Sequence, residues 1–178
     1  MTSLAKRMNE INTSRLKLLE LSHQQLQLCL FDLPEFEKQT NIKIAPDFIT
    51  DHVLRAMRMK VEKMRNADIS HHAWMTYWLI VIKEENIGAG MLGFKGYPNT
   101  EGATEIGYGI GPAYQNKGYM NEAVQAFIDW AFTYPDCNVI TATEVENPAS
   151  RRLLEKLGAL LVDQTATSTS WELRKIPK

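Results

Sequence analysis

The sequence predicts one α/β domain built on a mixed sheet, with a strand–loop–helix crossover near the middle of that sheet. Strand-like segments, apolar throughout or alternating, are interspersed with segments of helical spacing. Three strand-like segments follow one another between residues 74 and 111 without a helix, as in an antiparallel meander. The 178 residues suit a single domain, and we assign residues 1–178 to it.

The first third of the chain predicts a strand and two helices. RLKLLELS (15–22) has the pattern of a strand, and the next residues place Leu26, Leu30 and Leu33 near one face of a helix that Pro34 ends. A second helix is predicted through HVLRAMRMKVEKMR (52–65). Its alternative caps are Asp47, Thr50 and Asp51, and its apolar stripe, expected to face the core, consists of Val53, Met57, Val61 and Met64.

The middle of the chain predicts the meander. WMTYWLIVIKEENIGAGMLGFKG (74–96) is an apolar hairpin with its turn at KEEN, and ATEIGYGIG (103–111) is the next strand. Glycine inside a strand indicates either a bulge or the close approach of another backbone or a ligand.

The last third alternates helices and strands. A helix is predicted by apolar residues at helical spacing: Ala123, Phe127, Trp130 and Tyr134. After a strand at CNVITATEVE (137–146), the segment NPASRRLLEKLG has Asn147 at its N-cap, Pro148 at its first position and Gly158 after its end. Two alternating strands, ALLVD and TSTSWELRK, close the chain.

Composition narrows the function classes. The formal net charge is −1, so no overall field attracts nucleic acid or an anionic membrane, and an anionic ligand must be held by local groups. Cys29 and Cys137 have neither metal-ligand spacing nor a disulfide framework; we expect two incidental or buried thiols, no metal, and a reducing cytoplasm. Residues 1–15 lack the apolar run of a signal peptide, and WLIVI is too short to span a bilayer.

The stretch YQNKGYMNEA (114–123) lies where the strand pattern gives way to the helix pattern. It lacks the Gly-Lys-Ser/Thr of a P-loop, and the preceding glycines have the wrong period for a dinucleotide fingerprint. A glycine at a helix start nevertheless lets an anion approach free main-chain N–H groups. The segment therefore predicts an anion-binding loop, with an ordinary tight turn as the alternative.

EIGYGIGPAYQNKGYMNEAV followed by VENPASRRLLEKLGA resembles the GNAT superfamily of acetyl-CoA-dependent N-acetyltransferases, most closely the branch with the ribosomal-protein N-terminal acetyltransferases. The resemblance is strong over about residues 105–158. It implies a mixed, mostly antiparallel, twisted sheet with helices on both faces and a central strand–loop–helix cofactor site. Gln115 and Gly118 match the family loop Arg/Gln-x-x-Gly-x-Gly/Ala, and Met120 departs from it.

The resemblance also implies cofactor contacts. The pyrophosphate of coenzyme A would be bound by main-chain groups of Gln115, Asn116, Lys117, Gly118, Tyr119 and Met120. The strand at Tyr108, Gly109 and Ile110 would pair with the pantetheine arm, and the Ile110 N–H would polarise the thioester carbonyl. Asn147 would contact the cofactor near its sulfur, although its role as a helix cap explains the residue alone.

Catalytic roles are implied for two residues. Many family members have a Tyr that protonates the departing thiolate, at the position where this chain has Leu154. Relatives in this branch instead use a serine to protonate or solvate the thiolate, and Ser150 matches the position of that serine. Glu105 is the candidate base for the amine, with a surface or substrate-binding carboxylate as the alternative. His71 and His72 are weaker candidates for the base.

We therefore expect a cytoplasmic N-acetyltransferase that moves acetyl from acetyl-CoA directly to a primary amine. The acceptor is either a protein N-terminus or a small amine, and the chain is a monomer or a homodimer that binds neither nucleic acid nor membrane. The alternative is a catalytically weak or inactive acyl-CoA-binding module, which Met120 and Leu154 favour.

Overall fold

The computed structural model describes residues 9–176, and within that range nine strands form one sheet flanked by six helices. The strands are β1 Glu10–Asn12, β2 Leu16–Glu20, β3 Lys43–Ile44, β4 Trp78–Ile82, β5 Ile87–Phe94, β6 Ala103–Ile110, β7 Val139–Glu144, β8 Leu160–Gln164 and β9 Thr169–Arg174. The helices are α1 His23–Phe31, α2 Leu33–Thr40, α3 Asp51–Arg65, α4 His72–Met75, α5 Tyr119–Ala131 and α6 Pro148–Lys156. Residues 1–8 and 177–178 of the predicted domain, and with them most of the segment tested for a signal peptide, lie outside the described residues.

The sheet is mixed and mostly antiparallel, as predicted. Its strand order is β1-β2-β4-β5-β6-β7-β9-β8, and β3 adds a short parallel pair with β5. The second parallel pair joins β6 to β7 in the centre of the sheet, and α5 is the crossover between these two strands. The predicted strand–loop–helix unit therefore lies at the middle of the sheet, as expected.

The first third contains more elements than predicted. Pro34 does end α1, but it also lies in the first turn of α2, which Asp32 caps by accepting a hydrogen bond from the Glu35 N–H at 3.2 Å. Proline suits this position because its fixed φ is helical and its missing N–H would be unpaired there. Thr50 is the cap of α3, because its hydroxyl accepts from the Val53 N–H at 3.4 Å.

Helices cover both faces of the sheet. Trp78 packs edge-on against Phe127 of α5 at 5.3 Å between ring centroids, and Phe94 stacks on the same ring at 4.5 Å. Tyr77 precedes Trp78 and faces the other side, where its ring lies 5.0 Å from the ammonium of Lys60 on α3. The predicted stripe of α3 faces the core, with Met57, Val61 and Met64 buried and Val53 half-buried.

The end of the chain follows the predicted order with two differences. Tyr134, which the helical spacing had included in α5, lies beyond that helix. Strand β9 alternates as predicted, whereas every residue of β8 is exposed because β8 is the outermost strand of the sheet. The N-cap at Asn147, the proline after it and the left-handed Gly158 after α6 are all confirmed.

Both cysteines are buried, as expected. Burial raises the pKa of the Cys29 thiol to about 12 and, against the nearby charge of Lys175, that of Cys137 to about 11. Within residues 9–176, no helix combines the length and apolar composition needed to cross a bilayer.

Candidate active site

The central feature of the sheet is the separation of β6 from β7. The two strands pair only where residues 103–105 meet residues 139–141, although β6 continues to Ile110 and β7 to Glu144. Over residues 106–110 the other edge of β6 is fully paired with β5. The edge of β6 that faces β7 is therefore open, and its main-chain groups are available to an extended ligand.

The glycines of β6 do not mark a bulge. Strand β6 pairs with β5 in uninterrupted register, from Gly90 opposite Ile110 to Phe94 opposite Ile106. A Cβ on Gly90 of β5 would lie 2.4 Å from the carbonyl oxygen of Gly109, so the close approach of backbone explains Gly90, whereas a Cβ on Gly107 of β6 would meet no atom within 4 Å. Of the two readings offered by the sequence, the bulge was wrong.

A cleft of about 370 Å³ opens between the end of β6, the start of α5 and the first turns of α6. It brings together ten of the twelve predicted site residues: Tyr108, Gly109, Ile110, Gln115, Asn116, Gly118, Tyr119, Met120, Asn147 and Ser150. It adds five that sequence reasoning missed: Tyr114, Asn121, Ala149, Arg152 and Leu153. The spacing of Ala149, Arg152 and Leu153 puts them on one face of α6, a signal that could have extended the prediction from Ser150.

The loop at the base of the cleft leaves a helix start uncapped. Gly118 is the N-cap of α5 with φ of +79°, and no side chain caps the helix. Asn116 is also left-handed, with φ of +59°. The first N–H groups of α5 are thus free to bind an anion, and Met120 contributes its N–H as any residue but proline would.

Arg15 and Glu122 hold this loop in place. Glu122 accepts hydrogen bonds from the Thr13 hydroxyl at 2.6 Å, the Arg15 N–H at 2.9 Å and the Arg15 Nε at 2.7 Å. The same guanidinium donates to the Lys117 carbonyl at 2.9 Å. Burial alone would raise the pKa of Glu122, but these hydrogen bonds and the charge of Arg15 lower it to about 2.

Two of the predicted site residues, Lys117 and Glu105, do not line the cleft. The ammonium of Lys117 lies 5.4 Å from the centre of the Tyr114 ring. The Tyr114 hydroxyl donates to Glu85 at 2.7 Å, which with burial raises the pKa of Tyr114 to about 12 and ties the loop to the β4–β5 turn. Glu105 also lies outside the cleft: it is partly exposed, and Lys95 is 2.6 Å from its carboxylate.

The start of α6 is fixed by two acceptors. Asn147 Oδ1 accepts from the Ser150 N–H at 3.0 Å. Glu144, buried at the end of β7, accepts from the Asn147 N–H and the Thr169 hydroxyl, each at 2.5 Å, and these bonds lower its pKa. Across the cleft, the hydroxyl of Ser150 lies 2.7 Å from that of Tyr108. Leu154, one turn further along α6, is fully buried.

The weaker base candidates are not in the cleft. His71 stacks on Tyr97 at 4.0 Å between ring centroids, and neither it nor His72 lines the cleft. Among the described residues, no three His, Cys, Asp or Glu side chains are grouped as a metal site requires.

The cleft has polar groups that are available to a ligand. Asn121 Oδ1 is buried without a hydrogen-bond partner in the described part of the chain, so it calls for a donor such as a ligand amide or hydroxyl. Arg152 is an exposed cation on the cleft wall. An open strand edge, an uncapped helix start and this cation together fit a chain of amides that ends in phosphates.

Comparison with known proteins agrees with this geometry. The acetyltransferase (GNAT) domain family matches the chain over residues 18–160. The chain belongs to the GNAT family. The prediction of an acetyl-CoA-dependent acetyltransferase is thereby confirmed at the level of the family.

Two curated relatives are similar to this GNAT chain. The uncharacterized N-acetyltransferase p20 of Bacillus licheniformis is 34% identical over 153 residues, which covers 84% of this chain and 82% of that protein. The uncharacterized N-acetyltransferase YjdG of Bacillus subtilis is 38% identical over 95 residues. That match spans only about half of each protein, 53% of this chain and 56% of YjdG.

Solved structures confirm the GNAT fold. RimL, a ribosomal L7/L12 α-N-protein acetyltransferase solved with coenzyme A, has a TM-score of 0.65 at 16% identity, covering 93% of this chain and 98% of RimL. A structure from Vibrio cholerae, whose name refers to a ribosomal-protein-serine acetyltransferase, has a TM-score of 0.63 at 17% identity, covering 94% of this chain and 98% of that one. The predicted resemblance to the ribosomal-protein branch thus holds for the fold.

Proposed function

We propose that this GNAT chain transfers the acetyl group of acetyl-CoA directly to a primary amine. The observation that carries the proposal is the cleft between the diverging strands β6 and β7, which ends at the uncapped start of α5. A ligand with an extended amide arm and a pyrophosphate fits that shape, because the strand edge pairs with the arm and the helix start binds the anion.

The groups along the cleft suggest a division of roles. N–H groups of the loop from Gln115 to Met120, including those of Asn116 and Gly118, would hold the pyrophosphate, and Arg152 would add positive charge. The main chain of β6 would hold the arm, with the Ile110 N–H donating to the thioester carbonyl oxygen. Acetyl-CoA supplies the activated acyl group, and the hydroxyl of Ser150, which lines the cleft, would donate a proton to the leaving sulfur.

The amine would approach from the opposite face of β6. Side chains alternate along a strand, so Glu105, Gly107 and Gly109 share the face that Tyr108 does not. A Cβ on Gly107 would meet no atom within 4 Å, which leaves room for an acceptor directly beside Glu105. Glu105 would accept the amine proton with the carboxylate oxygen that Lys95 leaves free.

Two classes of acceptor remain. The names of RimL and of the Vibrio structure refer to ribosomal proteins, which supports a protein N-terminus. The open floor at Gly107 would equally admit a small amine. We propose no nucleic-acid or membrane partner, a cytoplasmic location, and a monomer or homodimer.

A panel of amines tests the proposal against the alternative of an inactive binding module. The panel contains N-terminal peptides, polyamines, amino acids and aminoglycosides, and free thiol from acetyl-CoA is followed with a thiol reagent. We expect thiol release that depends on one acceptor class and is lost in Ser150→Ala by about tenfold to a hundredfold. Tight acetyl-CoA binding in calorimetry without amine-dependent thiol release from any acceptor would support the binding module that Met120 and Leu154 favour.

A further inference from the structure

We propose that Tyr108 is a positioning residue that acts through Ser150, donating its phenol proton to Ser150 Oγ so that the serine hydroxyl proton points at the leaving sulfur. This inference rests on the proposed acetyl transfer. The family resemblance implies a role only for the main chain of Tyr108, and this inference adds a role for its side chain.

The geometry of Ser150 leaves its hydroxyl proton free. Its N–H is held by Asn147 at 3.0 Å, which fixes the backbone, and its hydroxyl oxygen lies 2.7 Å from the Tyr108 hydroxyl. Either oxygen can donate in such a pair, but a phenol is far more acidic than an alkyl alcohol and is the better donor. With Tyr108 donating, the serine proton is available to a ligand in the cleft.

The position of the pair in the cleft matches the position of the sulfur. The anion site lies at Gly118, at the base of the cleft, and the exposed edge of β6 runs away from it from Ile110 to Tyr108. An arm that starts at the anion site and ends with its thioester carbonyl at the Ile110 N–H carries its sulfur at the end away from the phosphates, within the cleft that the Tyr108 and Ser150 side chains share. Both of these residues line the cleft.

The chemistry balances with these groups alone. The amine nitrogen forms a bond to the acyl carbon, the carbon–sulfur bond breaks, and its electron pair goes to sulfur. Ser150 gives its proton to sulfur and takes the Tyr108 proton in return. Tyr108 regains a proton from solvent, which receives the amine proton through Glu105, so the net result is an amide and a thiol.

Tyr108 gives the cleft a phenol, which Leu154 cannot supply. Leu154 is fully buried on α6 and has no proton to give, whereas Tyr108 brings a phenol to the same cleft from β6. Burial, opposed by the Ser150 hydrogen bond and reinforced by the Glu144 charge, raises the pKa of Tyr108, so the phenol keeps its proton at neutral pH.

The competing explanation is a purely structural bridge, in which the bond only ties β6 to α6. The two roles differ in what Tyr108→Phe changes. A bridge affects stability and cofactor affinity, whereas a positioned donor affects the energy of the thiolate itself, because a hydrogen bond to the charged form lowers the pKa of a thiol.

The test uses the full chain as Tyr108→Phe, Ser150→Ala and the double variant. The matched control is Tyr97→Phe, which also loses a 2.7 Å hydroxyl bond, to Asp136, outside the cleft. Steady-state kinetics with acetyl-CoA give kcat and KM. Ultraviolet absorbance of the thiolate, titrated with free coenzyme A bound, gives the pKa of the bound thiol without any turnover. Glu144, whose charge acts on Tyr108, and Arg152, which lines the same cleft, are unchanged in every variant.

We expect Tyr108→Phe to lower kcat about tenfold with KM for acetyl-CoA within about twofold of the parent. The same change in a Ser150→Ala background should have no further effect, because the donor acts only through the serine. The bound thiol pKa should rise by about half a unit to one unit in Tyr108→Phe, and Tyr97→Phe should match the parent in every measurement.

Independent, additive losses, a raised KM with unchanged kcat, or an unchanged thiol pKa in Tyr108→Phe would each overturn the inference. A parent protein that binds coenzyme A but acetylates no amine overturns the proposed function instead, and the thiol titration still decides whether Tyr108 acts through Ser150. A parent that does not bind coenzyme A overturns both.

Discussion

The cleft proposed for acetyl-CoA and the face proposed for the amine acceptor lie on the same strand, β6, yet they are built in different ways. The cleft depends on main-chain groups: an open strand edge, an uncapped helix start and a left-handed glycine. The acceptor face depends on side chains from separate segments, where Lys95 pairs with Glu105, and Lys63 donates to the Lys95 carbonyl at 3.0 Å.

The difference explains what each region tolerates. Main-chain groups recognise the same cofactor with many side chains, provided that the backbone conformation is kept. A site made of side chains, by contrast, changes which acceptor it binds when one of those side chains is substituted. We therefore expect backbone changes to be most damaging in the cleft, and single-atom side-chain changes to matter most at Glu105.

The largest effect is expected for Gly118→Val. Its φ of +79° is strained for any residue with a Cβ, most of all a β-branched one, and the added atom would approach the Arg15 guanidinium at 3.4 Å. The loop should shift, and the first N–H groups of α5 should no longer point at the bound anion. Calorimetry should therefore show acetyl-CoA affinity reduced by about a hundredfold or more.

Gly158→Val is the matched control, because Gly158 has φ of +77°, and a Cβ there meets nothing within 4 Å. It carries the same backbone strain, of about 1–3 kcal/mol, after α6 and away from the cleft. If both variants fold and bind acetyl-CoA like the parent, the cleft does not depend on main-chain conformation, and the contrast with the acceptor face is lost.

The same contrast explains what the sequence could predict. Residues that line the cleft could be predicted because their sequence signals are local: Gly118, Asn147 and Ser150 lie in short segments that mark the start of a helix. The contact of Arg15 with Glu122 joins residues 107 apart, and Lys95 pairs with Glu105 only because β5 and β6 are in a particular register. Sequence periodicity carries no information on such contacts. In the first third, α2 was missed because Pro34 was taken only as the end of α1.

The second effect, on stability, is expected for Glu122→Gln. The pKa of Glu122 is about 2 in the folded chain, against an ordinary value of 4.5, so the carboxylate stabilises the fold fully above about pH 4.5 and loses this contribution as pH falls toward 2. We expect the variant to lose on the order of 2 kcal/mol at pH 7.

Urea denaturation at pH 7 and pH 3 measures the difference between parent and variant, which should shrink at the lower pH. Glu155→Gln, which removes an exposed pair with Arg151, is the control and should change little. An equal loss at both pH values would mean that the contribution of Glu122 does not come from its charge.

The third effect tests the acceptor face. Glu105→Gln should lower kcat about tenfold at neutral pH and leave acetyl-CoA affinity unchanged, and the loss should shrink as pH rises because more of the amine is already neutral. Glu172→Gln is the control: its carboxylate on β9 is similarly exposed and also pairs at 2.6 Å, with Arg174. Parental kcat in Glu105→Gln at neutral pH would return Glu105 to the role of a surface carboxylate.

The smallest effect is expected for Asn147→Asp, because Asn147 can be explained either as a helix cap or as a residue that also contacts the cofactor. Asp accepts the Ser150 N–H as Asn147 does and favours the positive end of the helix dipole, so the melting temperature should hold. Because Oδ1 is committed to the cap, only the amide nitrogen is left to donate to a ligand, and an ionised Asp has no such donor. It also adds negative charge near a leaving thiolate, so we expect kcat to fall about threefold to tenfold.

Thr50→Asp is the control for this change, since it also replaces a neutral cap with a carboxylate, at the start of α3. It should retain parental kcat and stability. Full activity in a stable Asn147→Asp protein would leave Asn147 as a helix cap alone, and Ser150 and Arg152 would then carry the proposed roles of α6.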